Sequence, residues 1–310
     1  MKIIFMGTPD FGARILKKIH EQHEIVLVVT QPDKLVGRKQ TLTMSPVKEQ
    51  ALLLQLPVFQ PVNIRQEEDP ILSTPCDLIV TAAYGQFIGN RVLSHPLYRS
   101  INVHASLLPK YRGGAPIQRA LMNGETQTGI TIMYMEKKMD SGAILAQEVI
   151  PILPEDNADS LFHKLSLLGV QMILPVIRAI EHHTLVPIPQ QEDQATFAYN
   201  LTKADECINF QTSATSLCNQ MRGLCNQPGA YFTLDGVIYK VYGAQVASFP
   251  HQNQPGTIIE VTNHTFTIAC GEASALTFTH IKPEGRSFMT VEAFLNGKGK
   301  NIIIKNRRIQ

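Results

Sequence analysis

Residues 101–117 read INVHASLLPKYRGGAPI, from Ile101 to Ile117, and this stretch decides the fold and the site together. Alternate residues of a strand face opposite ways, so Ile101, Val103 and Ala105 are expected in the core while Asn102, His104 and Ser106 line the other face. Pro109 cannot donate to a ladder and ends the strand. Arg112-Gly113-Gly114-Ala115-Pro116 then supplies turn chemistry before a helix-like run from Ile117 to Met122. His104 therefore falls near the carboxyl end of a strand, where open α/β sheets hold their ligands.

Working outward toward the N-terminus, Asp77–Ala83 (DLIVTAA) is expected as a buried strand that ends at Tyr84-Gly85-Gln86. Ile25–Thr30 is a second such strand. Lys2–Met6 is a third, followed by a turn at Gly7–Gly12 and a helix marked by Ala13, Ile15, Leu16 and Ile19. The turn lacks G-x-G-x-x-G, which argues against a nicotinamide site. Between Gln31 and Pro46 the sequence is too polar and broken for an element and reads as a long loop carrying Lys34, Arg38 and Lys39; loops of that length are usually functional or disordered. Ser45-Pro46 opens a helix.

Toward the C-terminus, Gly129–Tyr134 and Ala143–Ile150 read as strands, and Met139-Asp140-Ser141-Gly142 as the turn between them, which would set Asp140 near the ligand edge. Leu161, Leu165, Leu168, Met172, Val176 and Ile180 mark an amphipathic helix across 158–182, kinked or split at Pro175. Strands alternating with helices predict an α/β fold, a Rossmann-like open sheet with flanking helices, over residues 1–185. Residues 186–205, proline-rich and polar, read as a linker. Residues 206–310 hold five short strands with an Asp235-Gly236 hairpin turn, which suggests a smaller OB-like β-barrel.

The chain has 310 residues, enough for two domains, and its 44% hydrophobic and 17% charged content describe a globular protein. Five cysteines with no C-x-x-C pair indicate neither a disulfide framework nor a zinc site, and no metal is expected. The apolar start, Ile3–Met6, is too short for a signal peptide and no apolar run reaches a membrane span, so the expectation is a cytoplasmic monomer with no membrane partner. Residues 1–208 hold 19 basic and 21 acidic residues, while 209–310 hold 9 and 5. That basic excess permits nucleic-acid contact, and Lys298, Lys300, Lys305, Arg307 and Arg308 supply most of it.

The opening stretch resembles the N-V-H-x-S-L-L-P-x-x-R-G-x-x-P-I signature of the folate-dependent formyltransferases, and Met135–Gly142 (MEKKMDSG) is similar to that family's second signature, with its acidic residue at Asp140. Gly7–Phe11 (GTPDF) and the loop after Thr30 resemble the branch of the family that acts on methionyl-tRNA. Where that branch tends to have G-R-G-K-K, this chain has Gly37-Arg38-Lys39-Gln40-Thr41, so Arg38 carries over and part of the basic character does not. The resemblance implies 10-formyltetrahydrofolate as formyl-donor co-substrate, no tightly bound cofactor, and initiator methionyl-tRNA as acceptor. It implies Asn102, His104 and Asp140 as catalytic residues, and Tyr84, Gly85, Ser106, Leu107, Leu108 and Pro109 as the folate-binding wall. Lys34, Arg38, Lys39 and the five C-terminal cations would meet tRNA. Two other readings stay open: a transferase acting on a small amine such as glycinamide ribonucleotide, and a non-catalytic RNA-binding protein.

Overall fold

The strands that read as apolar on both faces form the parallel part of one sheet. The structure, a computed structural model, describes residues 1–310 except 38, 39, 226, 249, 250 and 310. In chain order the first part runs β1 (Lys2–Gly7), α1 (Asp10–His20), β2 (Glu24–Val29), β3 (Lys34–Val36), β4 (Thr41–Thr43), α2 (Pro46–Leu53), β5 (Val58–Phe59), α3 (Asp69–Leu72), β6 (Leu78–Ala82), α4 (Asn90–Leu93), β7 (Ser100–His104), α5 (Pro116–Met122), β8 (Gln127–Tyr134), β9 (Ile144–Pro151) and α6 (Ala158–Glu181). Then follow α7 (Lys203–Glu206), α8 (Ala214–Gly223), β10 (Ala230–Leu234), β11 (Val237–Ala247), β12 (Ile258–Val261), β13 (Phe266–Ala269), β14 (Ala275–Pro283), β15 (Met289–Thr290) and α9 (Val291–Leu295).

These elements divide into two compact units. The first comprises Met1–Pro116, Gln127–Pro151 and Ser160–Tyr199, and the second Ile117–Thr126, Ile152–Asp159 and Asn200–Gln310. Residues 186–199, which read as linker by composition, are part of the first unit. Ile188 bridges to Ile144 and Phe197 to Arg112, so this proline-rich segment lies on the first unit as a strap.

The first unit is built on a seven-stranded sheet of order β5-β2-β1-β6-β7-β8-β9. Strands β5, β2, β1, β6 and β7 run parallel, and β8 and β9 are antiparallel to their neighbours. The order reverses between β1 and β6, so the carboxyl ends of β1, β6 and β7 border the crevice in which such sheets take ligands. Gly169 of α6 lies where an added Cβ would stand 3.3 Å from both Ile15 of α1 and Val103 of β7, so this helix reaches β7 closely because the residue there is glycine. Among the described residues α6 is the one helix long and apolar enough to cross a bilayer by length and composition. Its apolar stripe, Leu161, Leu165, Leu168, Met172, Val176 and Ile180, is buried within the protein. It runs through Pro175 unsplit, where the sequence suggested a kink or a break.

The segment 31–46 is not the featureless loop its polarity suggests. β3 and β4 pair as a two-stranded ribbon, Lys34 opposite Thr43, with Leu35, Val36 and Leu42 all more than half exposed. Its base is held by Asp33, which takes Lys48 Nζ at 2.7 Å and Gln60 Nε2 at 2.8 Å. Strands of three exposed residues bury no face and so leave no periodic trace in a sequence.

The second unit is an antiparallel sheet of order β10-β11-β14-β13-β12, with β15 added on β14. Asp235 and Gly236, both with positive φ (54° and 76°), make the tight β10–β11 turn that the Asp-Gly pair predicts. Phe232, Phe266 and Phe278 are buried together at its core, ring centroids 5.1–6.5 Å apart.

Candidate active site

β7 delivers two side chains to one face by its period of two. His104 is buried, with 6% of its surface exposed, and Asn102 is half-buried. Asn102 sits opposite Thr81 of β6 in the parallel register. The Thr81 hydroxyl has one hydrogen and its shortest contact is to Asn102 Oδ1 at 2.7 Å, against 3.2 Å to Ile101 O. With Oδ1 taken by Thr81, the two Nδ2 hydrogens are left for a ligand.

The imidazole is fixed in the same way. His104 Nε2 lies 3.0 Å from the Tyr111 carbonyl, which only accepts, so Nε2 carries a hydrogen. Nδ1 faces Asp140 Oδ2 at 3.7 Å, beyond hydrogen-bond length, and that same oxygen accepts Gly113 N–H at 2.8 Å. A third donor such as an amine nitrogen can therefore meet both Nδ1 and the carboxylate. Gly113 adopts φ +128° and passes so near Ala198 that a Cβ would come within 2.6 Å of its carbonyl oxygen, so a glycine is required here.

Asp140 reaches His104 by a route the turn alone does not reveal. β8 is antiparallel to β7 and Tyr134 pairs with Ile101, so the β8–β9 connection leaves the sheet at the amino end of β7. Residues 135–143 must fold back along the strand for Asp140 to reach His104 at the other end. Asp140 takes a left-handed backbone, φ +48°, which aspartate tolerates better than most residues.

The segment after His104 forms a wall braced from the neighbouring strands. Thr131 of β8 donates to Ser106 O at 2.7 Å and accepts Leu108 N–H at 3.2 Å, and Gln147 of β9 donates to Leu108 O at 2.9 Å. Ser106 Oγ is turned to the Lys110 carbonyl at 2.8 Å and Leu108 is buried, which leaves Leu107 and Pro109 half-exposed. Tyr84 packs its ring in the core beside Ile64, Ile71 and Ile88, and burial pushes its phenol pKa up. Its carbonyl, where Thr8 Oγ1 (2.8 Å) and Gln31 Nε2 (3.2 Å) converge, and Gly85 at φ +90° are what it presents to the β6 end.

Of the residues expected at tRNA, Lys34 lies exposed on β3, and Arg38 and Lys39 fall outside the described residues. Lys298 and Lys300 are exposed on a short 3-10 turn and Lys305 is exposed beyond it. Arg307 is half-buried, bonded to Asp235 and to Ile302 O, while Arg308 donates to Pro255 O and Gln254 Oε1. Thr81, Thr131, Gln147 and Gln190 carry no signal in the sequence, because their roles are hydrogen bonds across 16 to 78 positions of chain. Arg112 and Gly113 stood inside the decisive stretch, where glycine-rich turn chemistry was their visible signal.

Comparison with known proteins bears on this arrangement. The family described as formyl transferase matches residues 1–177, and the formyl transferase C-terminal domain matches residues 200–299. The methionyl-tRNA formyltransferase of Staphylococcus epidermidis RP62A is 46% identical over 306 residues, 98% of each chain. That of Enterococcus faecalis V583 is 43% identical over 309 residues, 99% of each. This chain belongs to the methionyl-tRNA formyltransferase family. Solved structures add the fold of the family at lower identity. A sugar 3N-formyl transferase, WlaRD, crystallised with dTDP and 5-N-formyl-THF, superposes with a TM-score of 0.68 at 18% identity, covering 93% of this chain and 99% of that one. HypX from Aquifex aeolicus in complex with tetrahydrofolic acid gives 0.61 at 16%, covering 96% of this chain and 47% of its own.

Proposed function

We propose that the protein moves the formyl group of 10-formyltetrahydrofolate to the α-amino group of initiator methionyl-tRNA, with the catalytic groups in the first unit and further tRNA contacts in the second. The observation that carries this reading is the meeting on β7 of an amide with two unspent donors and an imidazole whose Nδ1 faces the Asp140 carboxylate at 3.7 Å.

The neutral amine attacks the formyl carbon, a C–N bond forms, and the carbonyl oxygen becomes an oxyanion. Asn102 Nδ2 donates to that oxygen, a contribution of about 10²–10³ in turnover for one such donor. His104 Nδ1 takes the proton from the attacking nitrogen, and Asp140 faces the ring while it is charged. Collapse breaks the bond to the folate nitrogen, which leaves with that proton; acid–base assistance of this kind adds about 10²–10⁴. Transfer is direct, with no covalent protein intermediate. Leu107, Pro109 and the backbone of Tyr84 and Gly85 would line the folate, with Ser106 and Leu108 bracing that wall.

The acceptor is tested by offering charged initiator tRNA and glycinamide ribonucleotide with 10-formyltetrahydrofolate to the full chain. Formylation of the tRNA alone supports the reading. Formylation of the small amine alone, or of neither, overturns it.

The β3–β4 ribbon exposes Leu35, Val36 and Leu42 without a core to cover them, which suits an element that docks on the tRNA end. Arg38→Ala should lower kcat/KM for tRNA by about tenfold, the value of one charged hydrogen bond, with folate KM unchanged. Arg38→Lys should recover part of the loss, since lysine lacks the planar fork. The alanine variant should also lose more on initiator tRNA than on a tRNA with a paired end. Equal kcat/KM for wild type and both variants would remove Arg38 from recognition.

The three exposed lysines of the C-terminal stretch give a second prediction. Replacing Lys298, Lys300 and Lys305 by alanine in the full chain should flatten the log–log dependence of tRNA affinity on salt by about 2–3, at 0.7–0.9 per phosphate contact. An unchanged slope would make these lysines an ordinary solvated face.

A further inference from the structure

The turn that carries Asp140 folds back over β7 without a ladder of its own, and side chains of the strap hold it. Gln190 Nε2 donates to Asp140 O at 2.9 Å and to Gly142 O at 2.8 Å. Gln190 Oε1 accepts Arg112 Nε at 3.1 Å and Arg112 Nη2 at 2.7 Å. Both N–H groups and both lone pairs of the amide are spent. The reverse orientation would set amide N–H against guanidinium N–H and carbonyl against carbonyl, so the network itself fixes which end is nitrogen.

Arg112 is wholly buried, with 0% of its surface exposed, and an unpaired guanidinium there would be costly. Two more of its donors go to Glu192, Nη2 to Oε1 at 2.8 Å and Nη1 to Oε2 at 3.3 Å. Glu192 is also bonded to Lys138, a residue of the Asp140 turn. The guanidinium first, and Lys138 after it, pull the Glu192 carboxyl down to about 2, so it is an anion at neutral pH. The peptide after Arg112 supplies the Gly113 N–H that meets the Asp140 carboxylate at 2.8 Å. Asp140 is thus gripped at both ends by one segment: its carboxylate directly through Gly113, and its main chain through Arg112 and Gln190.

We propose that Gln190 is a positioning residue for formyl transfer, holding the Asp140 turn in its returned, left-handed conformation so that the carboxylate faces His104, with Arg112 anchoring Gln190 in turn. The inference rests on the part given to Asp140 above. Gln190 touches neither His104 nor Asn102 among the described contacts, so its effect passes through Asp140. A left-handed aspartate is strained, and such a conformation persists only where its surroundings impose it. Removing the two donations lets the turn relax, and a shift of about 1 Å at a reacting group can cost up to about a hundredfold in rate.

The test is a double-mutant cycle on the full chain, combining Gln190→Ala and Gln190→Glu with wild type and with Asp140→Ala. Single-turnover rate, KM for both substrates and Tm are followed. Gln190→Glu keeps an acceptor for Arg112, so the buried guanidinium stays paired, but it loses both donations and sets a carboxylate against two carbonyls. It should lower the transfer rate about tenfold or more while both KM values hold, and Gln190→Ala should shift the rate the same way. In the Asp140→Ala background neither change should lower the rate further. A wild-type rate in a folded Gln190→Glu protein would overturn the proposal, as would equal losses in the two backgrounds. If Asp140→Ala alone left the rate unchanged, the failure would lie in the reading of Asp140 on which the proposal rests.

Discussion

His104→Ala should leave the fold intact and cut kcat at least about a hundredfold, and Asn102→Ala should do the same by a different route. The two side chains make few bonds that the fold needs: His104 gives one to the Tyr111 carbonyl, and Asn102 accepts one from Thr81. The core side of β7 is built by Ile101 and Val103, both buried, which neither variant disturbs. What is lost is the acceptor for the amine proton in one case and the donor to the oxyanion in the other. Steady-state kcat, with Tm as the control for folding, checks both, and near-wild-type kcat in a folded variant removes that residue from the mechanism.

Asp140→Asn should be nearly as severe, about a hundredfold, though the side chain keeps its size. Asn can still accept Gly113 N–H through its oxygen, so the turn and the 2.8 Å bond survive. The charge facing His104 Nδ1 at 3.7 Å does not, and the imidazole must then carry its proton without a balancing carboxylate. The loss should appear in kcat with little change in KM for folate or tRNA, since Asp140 is charged to act while the proton is in transit. If the loss appeared in KM alone, Asp140 would be a binding group.

The parts of this protein legible in its sequence are those where one local rule suffices. β1, β2 and β6 are buried on both faces and read as unbroken apolar runs, and Asn102 with His104 follows from a period of two on β7. The β3–β4 ribbon is invisible because it buries nothing. The strap fails for the opposite reason: Pro187-Ile188-Pro189-Gln190 has the composition of a linker, and its long-range bonds, the Ile188–Ile144 bridge and those of Gln190 to Arg112, Asp140 and Gly142, leave no trace in the local sequence. Tyr84 was expected in the folate wall as a residue; its ring lies in the core and its main chain is what borders the β6 end. Asp140 was expected near the ligand edge and lies there, but the route of its return toward His104 was not legible, because it depends on the antiparallel register of β8 and on a glutamine fifty residues away.

Asn102 and His104 are proposed to transfer the formyl group directly to aminoacylated tRNA. The most direct test is a single turnover with the formyl carbon of 10-formyltetrahydrofolate isotopically labelled and charged initiator tRNA in excess, run on wild type and on the Asn102→Ala, His104→Ala double variant. In wild type the label should leave the folate and enter the tRNA amino group in one phase, with none on protein at any time, and the double variant should bind both substrates and transfer almost nothing. Label trapped on the protein, or transfer by the double variant at the wild-type rate, would rule out direct transfer by these two side chains.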